Sequence, residues 1–228
     1  MIEEPKILTI KADMPRPTSA QIAAFQGVPT GFVVDAMMGG GAFAHDVCPV
    51  VGPAHIAGPA LPVDCGPGDI LAALAALKFV RPGDVVVSAF GGYLGCAAGG
   101  DRLMGMVKNN GGIGFVTDGP MRDLDGLEEV GLPVWCRGLT PASPFSKGPG
   151  RVGFAVQIAG QTVGCGDMIV ADRDGVVVVP FDRIDQVIDA LKTVRELEVA
   201  LDRDVAEGLR VPPAIADLLD SDQVTFSK

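Results

Sequence analysis

Four consecutive valines at residues 176–179, closed by Pro180, restrict the fold more than any other stretch of this 228-residue chain. A strand with one wet face alternates apolar and polar residues, so an unbroken β-branched run reads as a strand covered on both faces. Proline cannot donate to a ladder, and the strand ends there. Residues 84–89 (DVVVSA) form a second run of buried-strand length, and residues 113–117, 134–137, 154–158 and 168–171 read as shorter strands. Residues 54–63 are also strand-like, and Pro59 and Pro62 confine that strand to a sheet edge. Between these runs lie helical segments. One covers residues 18–26, capped by Thr18 or Ser19, and another residues 30–38, ending at Gly39-Gly40-Gly41. Others cover 70–79, 101–110 with Gly111-Gly112 as the stop, and 124–130. The last starts at Asp182, with Ile184, Val187, Ile188, Leu191, Val194 and Leu197 on one stripe. Strands and helices mix without strict βαβ alternation. The chain therefore reads as a single layered α/β domain over residues 1–228. An extended segment (about 1–17) leads it, and a C-terminal helix and tail (about 182–228) close it.

Charge and composition narrow the function. The net charge is −10, which repels phosphate backbones and argues against nucleic acid as a partner. One Trp and one Tyr supply no base-stacking platform. No apolar run approaches the ~18 residues that span a bilayer. The start, MIEEPKILTI, carries acids where a secretory signal carries bases, so a soluble cytoplasmic protein without membrane contact is expected. Five cysteines (Cys48, Cys65, Cys96, Cys136, Cys165) without a CxxC pair read as buried, reduced thiols. His45 and His55 lack spaced partners and read as structural. Gly148–Gly153 matches GxGxxG by letter but leads into a strand, which excludes a dinucleotide turn. There is no GxSxG elbow and no Walker-type GK[ST].

An acidic protein that binds an anion needs a local positive feature. The segment from Asp101 to Asp123 offers one. Asp101 stands in the first turn of a helix, twenty residues separate it from Arg122, and Asp123 follows directly. A helix, a strand and a turn between them return the chain to the same end of the sheet. Free amides at the helix start, a guanidinium fork and a carboxylate for a hard cation then face one pocket. The alternative at this point is that Asp101 only caps its helix while Arg122 and Asp123 form a turn ion pair.

The motifs GGDRL, GFVTDGPMRDLDGLEEVGLPVW and GDMIVADRDGVVVVP resemble the family of 4-hydroxy-4-methyl-2-oxoglutarate and 4-carboxy-4-hydroxy-2-oxoadipate aldolases. That family includes the regulator of ribonuclease activity A and chains mislabelled as dimethylmenaquinone methyltransferases. The likeness runs from about Val33 to Gly208. It implies a swivelling β/β/α fold and a metal-dependent lyase that cleaves a 4-hydroxy-2-oxo acid to pyruvate, with oxaloacetate decarboxylation alongside. It further implies that Asp123 helps hold Mg²⁺ or Mn²⁺ largely through waters, that Asp101 supports that shell, and that Arg122 contacts pyruvate. Gly100, Asp101 and the amides near Arg102 and Leu103 would hold the substrate carboxylate. Sites between subunits of a homotrimer or homohexamer are implied, with Glu198, or Glu196 in reserve, reaching across as a catalytic group. Members usually follow the loop glycine with an acid and Leu-Leu; here Asp101 is followed by Arg102-Leu103, an added cation that redirects substrate preference. Members that regulate ribonuclease E lack the second acid of the Arg-Asp pair, and this chain keeps Asp123. A Schiff-base mechanism would need a desolvated lysine, and Lys78, Lys108 and Lys147 sit where helices end or loops turn. The rival class is a non-enzymatic regulator whose acidic surface binds a basic partner segment.

Overall fold

The computed structural model describes residues 6–52 and 55–227. They fall into two compact units, the first ending at Leu191 and the second beginning at Lys192. In chain order the first unit holds β1 (Leu8–Ile10), α1 (Ser19–Ala24), α2 (Thr30–Ala36), β2 (Cys48–Val51), β3 (Ile56–Asp64) and α3 (Leu71–Ala76). There follow β4 (Val85–Ala89), α4 (Asp101–Asn109), β5 (Gly114–Thr117), α5 (Leu124–Val130) and β6 (Val134–Cys136). Then come β7 (Gly150–Val152), β8 (Val156–Ile158), β9 (Gln161–Val163), β10 (Met168–Ala171) and β11 (Val176–Val179). Helix α6 (Ile184–Ala206) starts in this unit and continues into the second, which adds α7 (Pro213–Leu219).

Nine strands form one sheet along the path β1-β7-β3-β4-β5-β6-β2, with β10 on β3 and β11 on β10; β8 and β9 make a separate hairpin. The middle of the sheet, β3-β4-β5-β6, is parallel. Parallel neighbours need crossovers, and α3, α4 and α5 supply them. βαβ alternation holds from β3 to β6 and fails on either side of that stretch, so the chain as a whole mixes strands and helices as its sequence suggests.

Successive side chains of these strands point to opposite faces, and both faces are covered. On β4, Val86 joins the cluster containing Ala72, Leu103 and Leu127 from the crossover helices, while Val85, Val87 and Ala89 join the one containing Ile158 and Val163 from the hairpin. The four valines of β11 behave as their run predicts: Val176 and Val178 face the hairpin cluster, and Val177 and Val179 face Phe25 just after α1, Val33 of α2 and Leu191 of α6. Each such buried valine contributes roughly 1.5–3 kcal/mol. The result is a layered α/β domain.

Several readings need correction. Strand β3 is central: residues 56–59 pair with β10, residues 60–64 with β4, and Val63-Asp64 with β7. The prolines fit because the partners change along it. Pro59 ends the β10 pairing one residue before β4 begins, and Pro62 sits between the end of β10 and the start of β7. Ala54, counted in the predicted strand, lies outside the described residues. Cys48 is exposed rather than buried, although all five thiols are free. Leu197, placed on the apolar stripe of the last helix, is 65% exposed. The short strands β1, β2, β7 and β9 and helix α7 were not separately read.

Other local readings hold. Thr18 caps α1 in a capping box with Gln21. His55 is structural: Nδ1 accepts from the Gly27 amide at 3.3 Å and Nε2 lies 2.6 Å from the Val28 carbonyl, which suits a neutral ring protonated on Nε2. Gly148–Gly153 contains β7 and opens no helix. No described helix is long and apolar enough to cross a membrane.

Candidate active site

Asp101 follows β4, and Arg122-Asp123 follow the adjacent parallel strand β5, so both lie beyond the carboxyl ends of neighbouring strands. In open α/β sheets this is where ligand crevices form. Backbone hydrogen bonds lock the two segments together: Ala98 N–H donates to the Pro120 carbonyl at 2.7 Å and Arg122 N–H to the Gly99 carbonyl at 3.1 Å. On its other side Met121 donates to Gly138 and accepts from Thr140, both at 2.9 Å. The chain entering Arg122 is thereby clamped from both flanks.

Asp123 then turns into the left-handed region, with φ 61° and ψ 51°. A non-glycine residue there carries strain of order 1–2 kcal/mol, tolerated best by Asp and Asn. Asp123 occupies the N-cap of α5, yet its side chain makes no capping hydrogen bond. Its Oδ2 instead lies 3.2 Å from Arg122 Nε. The guanidinium is held a second time by Nη1 donating to Ser143 Oγ at 2.8 Å.

Two glycines make this packing possible. A Cβ on Gly100 would stand 2.6 Å from Asp123 Oδ2 and 3.1 Å from Arg122 Cγ, so the ion pair occupies the space a side chain would need. A Cβ on Gly126 would stand 2.8 Å from Asp101 Cβ and from its Oδ2, so α5 lets Asp101 lie directly against it. Asp101 Oδ1 accepts the amide of Arg102 at 2.7 Å, which gives that donor a partner within the chain.

These groups border a cavity of about 740 Å³, within the usual range of small-molecule sites. Asp101, Asp123, Asp125, Arg102 and Arg122 supply its charged lining, and Ile70, Leu74, Leu103 and Met106 much of its apolar lining. Gly100, Asp101, Arg102, Leu103, Arg122 and Asp123, each singled out from the sequence, thus meet at one place. Glu198 and Glu196 lie in the second unit and are not among the lining residues. Ser143, Gly126, Asp125 and the apolar wall were missed. Gly126 carried a readable signal, since a glycine inside a helix often marks a close approach. Ser143, in a Pro/Ser/Gly loop, carried none.

The cavity contains no cluster of three or more His, Cys, Asp or Glu able to cage a metal, and the same holds across the described residues. What it has is three separate carboxylates, Asp101, Asp123 and Asp125, along its wall. That donor set fits Mg²⁺ or Mn²⁺, hard cations held by one or two carboxylates while keeping several waters. It does not fit a structural zinc.

Fold and site together define an α/β protein with a charged crevice at the carboxyl ends of parallel strands. The chain belongs to the RraA-like family: the model described as Aldolase/RraA matches residues 30–178. It is 32% identical over 188 residues to a protein of Halalkalibacterium halodurans named "Putative 4-hydroxy-4-methyl-2-oxoglutarate aldolase", covering 82% of this chain and 90% of that protein. Streptomyces coelicolor RraAS2, titled an unusual member of the RNase ES inhibitor RraA protein family, is 27% identical with a TM-score of 0.73, covering 83% of this chain and 99% of that one. An uncharacterised protein from Pseudomonas syringae shares the fold, with a TM-score of 0.77 at 24% identity over 88% of this chain and 94% of that one.

Proposed function

We propose that this chain is a metal-assisted carbon–carbon lyase that cleaves a 4-hydroxy-2-oxo acid, such as 4-hydroxy-4-methyl-2-oxoglutarate, to pyruvate, and that it also decarboxylates oxaloacetate. The observation that carries this reading is the Arg122–Asp123 pair, packed on Gly100 at the start of α4 and open to the cavity. The name of the Halalkalibacterium relative supports it.

In retro-aldol cleavage the C3–C4 bond breaks, its electron pair passes into a pyruvate enolate, and the C4 hydroxyl loses its proton as the new carbonyl forms. Arg122, fixed at Ser143 and Asp123, places a permanent positive charge where the enolate oxygen develops. It also lowers the pKa of a nearby water, whose hydroxide form takes the hydroxyl proton and returns to water. Asp123, supported by Asp101, would hold Mg²⁺ or Mn²⁺, which when bound supplies Lewis-acid stabilisation of the same charge. Leu103 and Met106 give part of the cavity an apolar lining. Lys78, Lys108 and Lys147 are exposed and do not line it, which disfavours a Schiff base. In this reading the protein works as a homotrimer or homohexamer, and Glu198, or Glu196, of one copy completes the cavity of another.

Pyruvate release from oxaloacetate and from 4-hydroxy-4-methyl-2-oxoglutarate, with purified protein, with and without Mg²⁺ and with EDTA, tests the proposal. Metal-dependent pyruvate is expected; turnover that ignores the metal overturns it. The Streptomyces relative and the net charge of −10 favour a second reading, a non-enzymatic regulator. No turnover together with saturable binding to a ribonuclease scaffold would select that one.

A further inference from the structure

Two guanidinium groups border the cavity, and their circumstances differ. Arg122 is engaged twice, by Ser143 Oγ and Asp123 Oδ2. The side chain of Arg102 is exposed, lines the same cavity, and has no hydrogen bond or ion pair among the described residues. Its sequence neighbour Asp101 does not neutralise it: that carboxylate takes the Arg102 backbone amide on Oδ1 and packs against Gly126.

We infer that Arg102 is a specificity-determining residue that binds a second carboxylate of the substrate and biases the cavity toward dicarboxylic 2-oxo acids. The inference rests on the function proposed above. Three carboxylates, Asp101, Asp123 and Asp125, outnumber the two guanidiniums in the lining. A second negative charge on the substrate is repelled there unless a cation answers it. Arg122 is committed beside Asp123, which leaves Arg102 to do so. A guanidinium suits the task because its planar fork matches a carboxylate with two parallel hydrogen bonds. Placement in the first turn of the nine-residue helix α4 adds the partial positive charge of the helix start.

The test pairs 2-oxoglutarate with 2-oxopentanoate, the same five-carbon 2-oxo acid with a methyl group in place of the second carboxylate. Equilibrium binding of each is measured on the full chain with Mg²⁺. The wild type is expected to prefer the diacid, and Arg102→Gln to lower that preference about 10- to 100-fold, the worth of a hydrogen bond to a charged group. Arg102→Lys should restore part of it. Cleavage then compares 4-hydroxy-4-methyl-2-oxoglutarate with the monocarboxylate 4-hydroxy-2-oxopentanoate; the ratio of their kcat/KM values should fall by a similar factor, through KM more than kcat. An unchanged ratio in Arg102→Gln, or a wild type with no preference for the diacid, overturns the inference. Absence of metal-dependent cleavage in the wild type overturns the proposed function instead, and the binding ratio still judges Arg102.

Discussion

Two sets of aspartates in this molecule do opposite things with the same functional group. Asp69 accepts the amides of Leu71, Lys147 and Gly148, at 2.7, 2.6 and 3.0 Å. Buried Asp118 accepts those of Phe90 and Gly92, at 2.6 and 2.7 Å, and Asp167 those of Gly164 and Phe181, at 2.6 and 2.8 Å. Asp172 accepts from the Thr30 amide and hydroxyl and from Asp174 N–H. Each ties a turn to a distant segment, and its lone pairs are taken up by the fold. Asp101 and Asp123 are different: one accepts a single neighbouring amide, the other a half-exposed arginine, and both border the cavity. A carboxylate braced by several backbone donors is fully used as structure. One set on glycine-lined backbone with acceptor capacity left over is available to a cation or a substrate.

The largest effect that could break this contrast is on turnover. Arg122→Ala and Asp123→Asn, the latter keeping a residue type that tolerates the left-handed backbone, should each lower kcat on the order of 10²–10³ or more, while urea unfolding shifts little. A variant that instead loses stability and keeps its rate per folded molecule would move that residue into the structural set. Next in size comes Asp118→Ala, which strands the Phe90 amide in a buried place and takes the acceptor from the part-buried Gly92 amide. Its unfolding free energy should drop by about 1–3 kcal/mol for each donor left unsatisfied. A change inside experimental error would show that water replaces the carboxylate there.

The smallest effect sharpens the comparison within the structural set, through pH. Burial pushes the Asp69 carboxyl up, but three backbone donors outweigh it, and its pKa lies below the ordinary carboxylate value. Its stabilisation is complete above the unfolded-state pKa near ~3.9 and is lost as pH falls through the depressed folded value. Asp167 goes the other way: burial raises its pKa, the Gly164 and Phe181 amides only partly oppose this, and Asp182 adds to it. Its charged form therefore destabilises the fold above the raised folded value, and stability recovers as pH falls through that value toward the unfolded one. Unfolding curves of Asp69→Asn and Asp167→Asn against wild type, from neutral to acid pH, should show slopes of opposite sign. Parallel slopes would mean that the donors at Asp167 prevail as they do at Asp69.

Much of the site was legible because it is local. Asp101, Arg122 and Asp123 are joined by one helix, one strand and one turn; residue types and spacing offered them as one site, and the family resemblance chose that over a capping Asp101 and a turn ion pair. Ser143 was not legible, because the loop of residues 140–150 reaches Arg122 only through folding, and nothing in its composition marks one serine among its neighbours. Asp123 illustrates a subtler limit. Its identity was read as a metal ligand, but its left-handed backbone and the absence of a capping bond to α5 belong to the folded chain, where residues 120–122 are held on both flanks.

Short-range physics therefore decided the elements from the chain alone: β-branched runs became buried strands, glycines ended helices, and the apolar stripe began the last helix. Strand partners, and hence the central place of β3 despite two prolines, were decided in three dimensions. A proline forbids one donor on one side of a strand, and whether that side needs a donor depends on where neighbouring strands start and stop. The same holds for the cavity: chemistry resides in single residues, but leftover hydrogen-bonding capacity is known only once every other group has found its partner.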